Sequence, residues 1–156
     1  MEKKKVYTAQ DALAKAMHFC AYQERAQQEV RDKLYTFGLS TDEVENVIVE
    51  LIAQNFLNEE RFAKAYVRGK VNIKKWGRKK VELALKQKQV SSYCIKKGMK
   101  EIDLEVYYQN LTHVLEVKLS KLKGSEYEKD YKATQYALSR GYELDLIQEV
   151  LKELKS

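Results

Sequence analysis

Twelve basic side chains and a single acid occupy the stretch from Arg68 to Lys100. Arg68, Lys70, Lys74, Lys75, Arg78, Lys79, Lys80, Lys86, Lys88, Lys96, Lys97 and Lys100 stand against Glu82. That window carries +11 in a chain whose total is +6, so the remaining residues sum to −5. A positive field segregated in this way attracts nucleic acid or an acidic protein face and speeds encounter, whereas evenly mixed charge mainly confers solubility. The charge is densest where Lys74, Lys75, Arg78, Lys79 and Lys80 surround Trp76-Gly77. If Gly77 opens a helix, the free N–H groups of its first turn point at the same place as the cations, an arrangement suited to a phosphate or a carboxylate cluster. Lys79 and Lys86, seven residues apart, are expected to share one face of that helix and extend the patch along it. Trp76 has two readings: it stacks on a base or a partner side chain, or it closes the core between the helices that flank it.

Catalytic and metal chemistry find no comparable support. Gly77-Arg78-Lys79-Lys80 lacks the preceding glycine and the Ser/Thr of a phosphate-binding loop, and no Ser nucleophile elbow is present. His18 and His113 have no Cys, His or carboxylate at ligand spacing. Cys20 falls in register with Leu13, Ala16 and Met17 and reads as a small buried apolar residue, as does Cys94. The pairs Asp42/Glu43 and Glu59/Glu60 stand at helix starts, where capping and the helix dipole account for them. The expectation is a protein that is not an enzyme, with no cofactor and no metal.

The elements that must position the basic residues are helices. The 156 residues include no proline and six glycines, a balance that favours helices joined by short turns. No apolar run is long enough to span a membrane and the start lacks a signal peptide, so a cytoplasmic protein is expected. Apolar residues recur at three and four positions, and the pattern predicts nine short amphipathic helices. Thr8, Ser40 with Glu43, Asn58 and Ser91 or Ser92 are candidate caps. The fourth helix is expected to bury Phe62, Ala65, Tyr66 and Gly69.

The helical pairs also repeat. With Gly38, Gln89 and Gly141 aligned, Leu39, Val90 and Tyr142 follow each turn, then Val44, Ile95 and Ile147, then Ile48, Met99 and Leu151. This spacing predicts an all-α tandem array of three three-helix, helix-turn-helix-like units, each stabilised by stacking on its neighbour, forming an elongated, curved molecule. The expected division is a tail at 1–8, a first unit at 9–56, a basic second unit at 57–102 and a third at 103–156. The turn at Leu34–Leu39 suggests a DNA-reading helix-turn-helix, but the helix after it carries Asp42, Glu43, Glu45 and Glu50, which suits no phosphate-lined groove.

Phe56-Leu57-Asn58-Glu59-Glu60-Arg61-Phe62-Ala63, followed by Tyr66-Val67, resembles the central motif of the RecX family, in which an apolar pair and acidic residues precede Arg-Phe-Ala. Glu24-Arg25 to Arg31 with Leu34 and Gly38 resembles the family's N-terminal helix, and Tyr136 to Tyr142 resembles its C-terminal repeat turn. The likeness runs from about Ala12 to Leu154. It implies a regulator that binds the RecA recombinase filament on single-stranded or double-stranded DNA, without sequence preference, and mainly inhibits its ATPase, recombinase and co-protease activities. A monomer is expected. The residues expected at the partner or DNA face are Arg68, Lys70, Lys74, Lys75, Trp76, Arg78, Lys79, Lys80 and Lys86. Phe56, Leu57, Arg61, Phe62, Ala63, Tyr66 and Gly77 are expected to be structural, with Phe56, Leu57, Phe62 and Tyr66 forming the joint between the first two units. The chain departs from the family pattern at Lys75-Trp76-Gly77-Arg78, where a Gly-rich turn is usual, at Lys88-Gln89-Val90, and at Ala26, where a Ser is common. Two alternatives fit the same residues: a nucleic-acid-binding helical module acting without RecA, and a helical-repeat scaffold for another acidic protein.

Overall fold

The computed structural model describes residues 7–156. Of the expected tail, 1–8, only Tyr7 and Thr8 fall within the described residues. These form nine α-helices and no strand: α1 (Ala9–Tyr22), α2 (Gln27–Thr36), α3 (Thr41–Ala53), α4 (Glu59–Asn72), α5 (Arg78–Gln87), α6 (Ser92–Met99), α7 (Leu104–Lys121), α8 (Glu126–Ser139) and α9 (Leu144–Leu154). Six of them begin with a side-chain cap. The oxygens of Thr8, Ser40, Asn58, Ser91, Asp103 and Ser125 each accept a hydrogen bond from a first-turn N–H, a contribution of about 1 kcal/mol per helix.

The repeat seen in the sequence is a repeat of backbone. Gly38, Gln89 and Gly141 all take the left-handed conformation, with φ of 83°, 60° and 98°, and each ends the second helix of its triplet. Behind Gln89 and Gly141 the chain closes in the same way: Val90 N–H donates to Leu85 O at 3.1 Å and Tyr142 N–H to Ala137 O at 3.2 Å. This is the turn that satisfies the last carbonyls of a helix. Leu39, Val90 and Tyr142 are buried next to these turns, and Val44, Ile95 and Ile147 are buried one turn into the following helices.

The nine helices enclose two cores. The first holds Ala12, Ala16, Val30, Leu34, Val44, Ile48, Leu51 and Leu57 from α1–α3 and the segment after it. The second is continuous through α4–α9 and includes Phe62, Ala63, Val67, Val81, Leu85, Tyr107, Leu111, Leu115, Ala133, Tyr142 and Ile147. Units two and three therefore share one interior, while unit one keeps its own. Packing across that shared interior runs through α4 and α7, and within each triplet the first helix lies against the third. Gly98 lets α6 close on α4, since a Cβ there would lie 2.9 Å from Ala63 O.

Two expectations change here. The buried stripe of α4 is Phe62, Ala63, Val67 and Val71, with Ala65, Tyr66 and Gly69 only half-buried. The helix packs against α6, α5 and α7, and these contacts bury Ala63, Val67 and Val71 where the sequence pattern favours Ala65, Tyr66 and Gly69. The four-residue joint also divides. Phe56 and Leu57 belong to the first core, and Phe62 and Tyr66 to the second, their rings 5.6 Å apart.

Candidate functional site

The start of α5 is where the basic turn was expected to present free N–H groups to an anion, and the structure assigns those groups otherwise. Gly77 N–H donates to Arg140 O at 2.7 Å and Lys79 N–H to Gly141 O at 3.0 Å, while Arg78 N–H donates to the Tyr107 hydroxyl at 3.0 Å. The positive end of α5 is thus met by the carbonyls that follow α8, so opposite ends of two helix dipoles abut. Contact is backbone against backbone: a Cβ on Gly77 would lie 2.2 Å from Gly141 C. The first turn of α5 is consumed as the joint between the second and third triplets, and offers no anion site.

Side chains of the third triplet lock the same turn from the other side. Asn110 Nδ2 donates to Val71 O at 2.9 Å, the Tyr142 hydroxyl donates to Lys75 O at 2.8 Å, and Arg140 Nη2 donates to Lys74 O. The Tyr107 hydroxyl passes its own proton toward Glu143 Oε1 at 2.8 Å. Burial raises the pKa of both Tyr107 and Tyr142 well above the ordinary phenol range, and for Tyr107 the bond to Glu143 adds to that rise. These constraints hold Lys75 at φ 54°, so the backbone of the basic turn is fixed.

A cation-lined groove lies one step further, between α5 and α6. A cavity of about 590 Å³ is lined by Arg78, Glu82, Lys86, Ser92, Ile95, Lys96, Met99 and Lys100. Four cations and a hydroxyl surround an apolar floor, and the one acid, Glu82, is already engaged with Lys86 at 3.4 Å. Among the described residues, Arg78, Lys96 and Lys100 form no salt bridge. The first turn of α5 also contains no acid, so Arg78, Lys79 and Lys80 lie against the positive end of their own helix dipole. The carbonyls of Arg140 and Gly141 already offset that positive end.

The chain matches family models of RecX over all three triplets: the first three-helix domain at residues 12–51, the second at 58–99 and the third at 105–151. The chain belongs to the RecX family. It is 31% identical to a regulatory protein RecX of Clostridium botulinum (strain Eklund 17B / Type B), over 97% of this chain and 74% of that one. A regulatory protein RecX of Prosthecochloris aestuarii (strain DSM 271 / SK 413) is 29% identical over 92% of this chain and 93% of its own length. In fold, the chain is similar to the crystal structure of RecX from Lactobacillus salivarius, with a TM-score of 0.85 at 24% identity, covering 94% of this chain and 96% of that one. A regulatory role of the RecX kind follows from this membership.

Within the RecX fold the expected contact residues separate into four groups. Arg78 and Lys86 line the α5–α6 groove. Lys70 and Lys80 instead cover Trp76, their ammonium groups 4.8 and 4.4 Å from its ring, and Trp76 is half-buried against the second core. Arg68 lies 3.6 Å from Glu101. Lys74 and Lys79 are exposed and Lys75 half-buried, all without an ion pair among the described residues. Lys79 does not share the groove with Lys86, because α5 rotates Arg78, Glu82 and Lys86 toward α6.

Sequence reasoning did not single out Lys96, Lys100 and Ser92 as site residues. Their signal was the spacing of Lys96 and Lys100, four apart on one face of α6, but only docking of α6 beside α5 brings that face opposite Arg78 and Lys86. Of the motif residues, Arg61 acts as a tie. It meets Glu24 Oε1 at 2.6 Å and donates to Asn55 Oδ1 at 3.1 Å, Asn55 O at 3.1 Å and Phe56 O at 3.3 Å. Among the described residues no His/Cys/Asp/Glu cluster could hold a metal, and no helix is long and apolar enough to cross a membrane.

Proposed function

We propose that this RecX-family chain acts as a cytoplasmic monomer that binds a RecA recombinase filament on DNA and mainly inhibits its ATPase, recombinase and co-protease activities. The observation that carries this reading is the α5–α6 groove, where Arg78, Lys86, Lys96 and Lys100 face a single, already paired acid. An acidic segment of a protein filament or a phosphate backbone fits that surface, and the exposed Lys74 and Lys79 extend the field beyond it. Segments 57–102 and 103–156 would enter the complex as one rigid body, since they share a core, with 9–56 attached to it. The names of its relatives, regulatory protein RecX, support the regulatory part of the reading.

The test is ATP hydrolysis by RecA on single-stranded DNA with added protein. Inhibition is expected, and Arg78→Gln, Lys86→Gln, Lys96→Gln and Lys100→Gln together should relieve it while the fold is retained. No inhibition at several-fold excess would end the RecA reading. Full inhibition by the variant would move the contact surface away from this groove. The same groove favours a second reading, nucleic-acid binding without RecA, whose mark is affinity that falls steeply with salt and is equal for unrelated sequences.

A further inference from the structure

The first triplet is acidic, with eight carboxylates and four cations between residues 9 and 56. Three of those four cations, Lys15, Arg25 and Lys33, nevertheless gather at one groove of about 580 Å³ between α1 and the end of α2, whose lining includes no acid. Among the described residues none of the three forms a salt bridge, whereas the fourth, Arg31, is paired with Glu45. Their charges rest on aromatic faces instead. The Arg25 guanidinium lies 3.6 Å from the centre of Phe19, held there by its Nε donating to Phe19 O at 3.0 Å. Lys33 Nζ is 5.6 Å from Phe19 and 5.9 Å from Phe37. Tyr22, 80% exposed at the end of α1, completes the lining next to Arg25.

We propose that this groove binds an unpaired nucleic-acid strand, with bases stacking on Tyr22 and on the layered Phe19–Arg25 pair, and phosphates neutralised by Lys15 and Lys33. The exposed Tyr22 ring and the half-buried Phe19 ring, beside cations without salt bridges among the described residues, match a ligand that carries flat apolar faces and negative charge in alternation, which a single strand does. A duplex hides those faces in its own stack. An acidic peptide would use the cations but leave the Tyr22 ring uncovered. The site is separate from the α5–α6 groove and differs in kind, since that groove has cations above an aliphatic floor and this one has cations above rings.

The experiment compares binding of a short oligo(dT) and an abasic oligomer of the same length and charge, read by fluorescence anisotropy. The protein is the full chain with Arg78→Gln, Lys86→Gln, Lys96→Gln and Lys100→Gln, so that the second site does not mask the first. Oligo(dT) should bind more tightly than the abasic strand. Tyr22→Ala should lower the oligo(dT) affinity about fivefold or more and leave the abasic strand unchanged, and Tyr22→Phe should keep the wild-type value. Lys15→Gln with Lys33→Gln should weaken both ligands. Equal binding of the two oligomers, or equal loss of both in Tyr22→Ala, would overturn the proposal. A Glu-rich peptide that binds more tightly than oligo(dT), with its affinity lost in the Lys15/Lys33 variant, would assign the groove to a protein and overturn it as well.

Discussion

The first triplet and the two that follow are built on one repeat, yet they are held together differently. Helices α1–α3 close a core of their own, while α4–α9 share a single interior. The joint inside the larger body is made of backbone: glycine against glycine at Gly77 and Gly141, N–H groups of α5 on carbonyls after α8, and buried hydroxyls on the α4–α5 turn. The joint to the first triplet is made of side chains. Ala26 enters the second core, Arg61 reaches Glu24, and Lys88 reaches Glu29 at 3.4 Å. Partly exposed ion pairs contribute roughly 0–1 kcal/mol each. Equal repeats thus make unequal neighbours, because neighbouring backbones can meet only where a glycine permits close approach.

Breaking the backbone joint should have the largest effect. Gly77→Ala forces a methyl into the Gly141 carbonyl and should cost about 3 kcal/mol. Hydrogen exchange should accelerate through α4–α9 and remain slow in α1–α3, and equal acceleration in both bodies would show that the two cores unfold as one. Next comes the side-chain joint. Arg61→Ala removes the pair with Glu24 and the bonds to Asn55 and Phe56, and should cost about 1–2 kcal/mol. It should split thermal unfolding into two transitions, and a single unchanged transition would mean that Ala26 and the covalent link suffice.

The third prediction concerns pH. Tyr107 and Tyr142 have pKa values raised by burial, whereas in the unfolded chain they ionise near pH ~10. Above that pH the unfolded state loses protons that the folded state keeps, so stability declines as pH rises. The decline should be registered by α4–α9 and should diminish in Tyr107→Phe, which trades it for a loss of about 1–2 kcal/mol at neutral pH. A decline of equal slope in the variant would place its origin elsewhere. The smallest effect is a gain. Gln89 occupies at φ 60° the position that glycine takes in the other two triplets, so Gln89→Gly should stabilise by up to about 1 kcal/mol, seen as a small rise in Tm. A fall in Tm would show that the Gln89 side chain contributes more than its backbone strain costs.

Much of the fold was legible because capping and apolar spacing act over four residues. Ser40, Asn58 and Ser91 cap helices where the sequence places them, and Gly38, Gln89 and Gly141 mark equivalent turns. The candidate site was legible in its charge and not in its geometry. The Arg68–Lys100 window contains the groove-lining cations, but a charge count does not say which of them face one another. Lys70 and Lys80 settle on Trp76, Arg68 on Glu101, and only Arg78 and Lys86 of the expected set reach the groove, beside Lys96 and Lys100. The aromatic groove of the first triplet left a fainter trace, because Lys15, Arg25 and Lys33 are spread over two helices within an acidic segment.

By itself the sequence determined the nine helices, the threefold repeat, the RecX kinship and the sign of the central field. Each of these depends on local spacing or on sums over residues, which do not change when the chain folds. Tertiary structure alone decided that two triplets fuse while one stays apart, and that the amides of α5 are spent on the carbonyls after α8 and unavailable to an anion. These outcomes depend on contacts between residues as far apart as Gly77 and Gly141, and such contacts are set by how closely two backbones can pack.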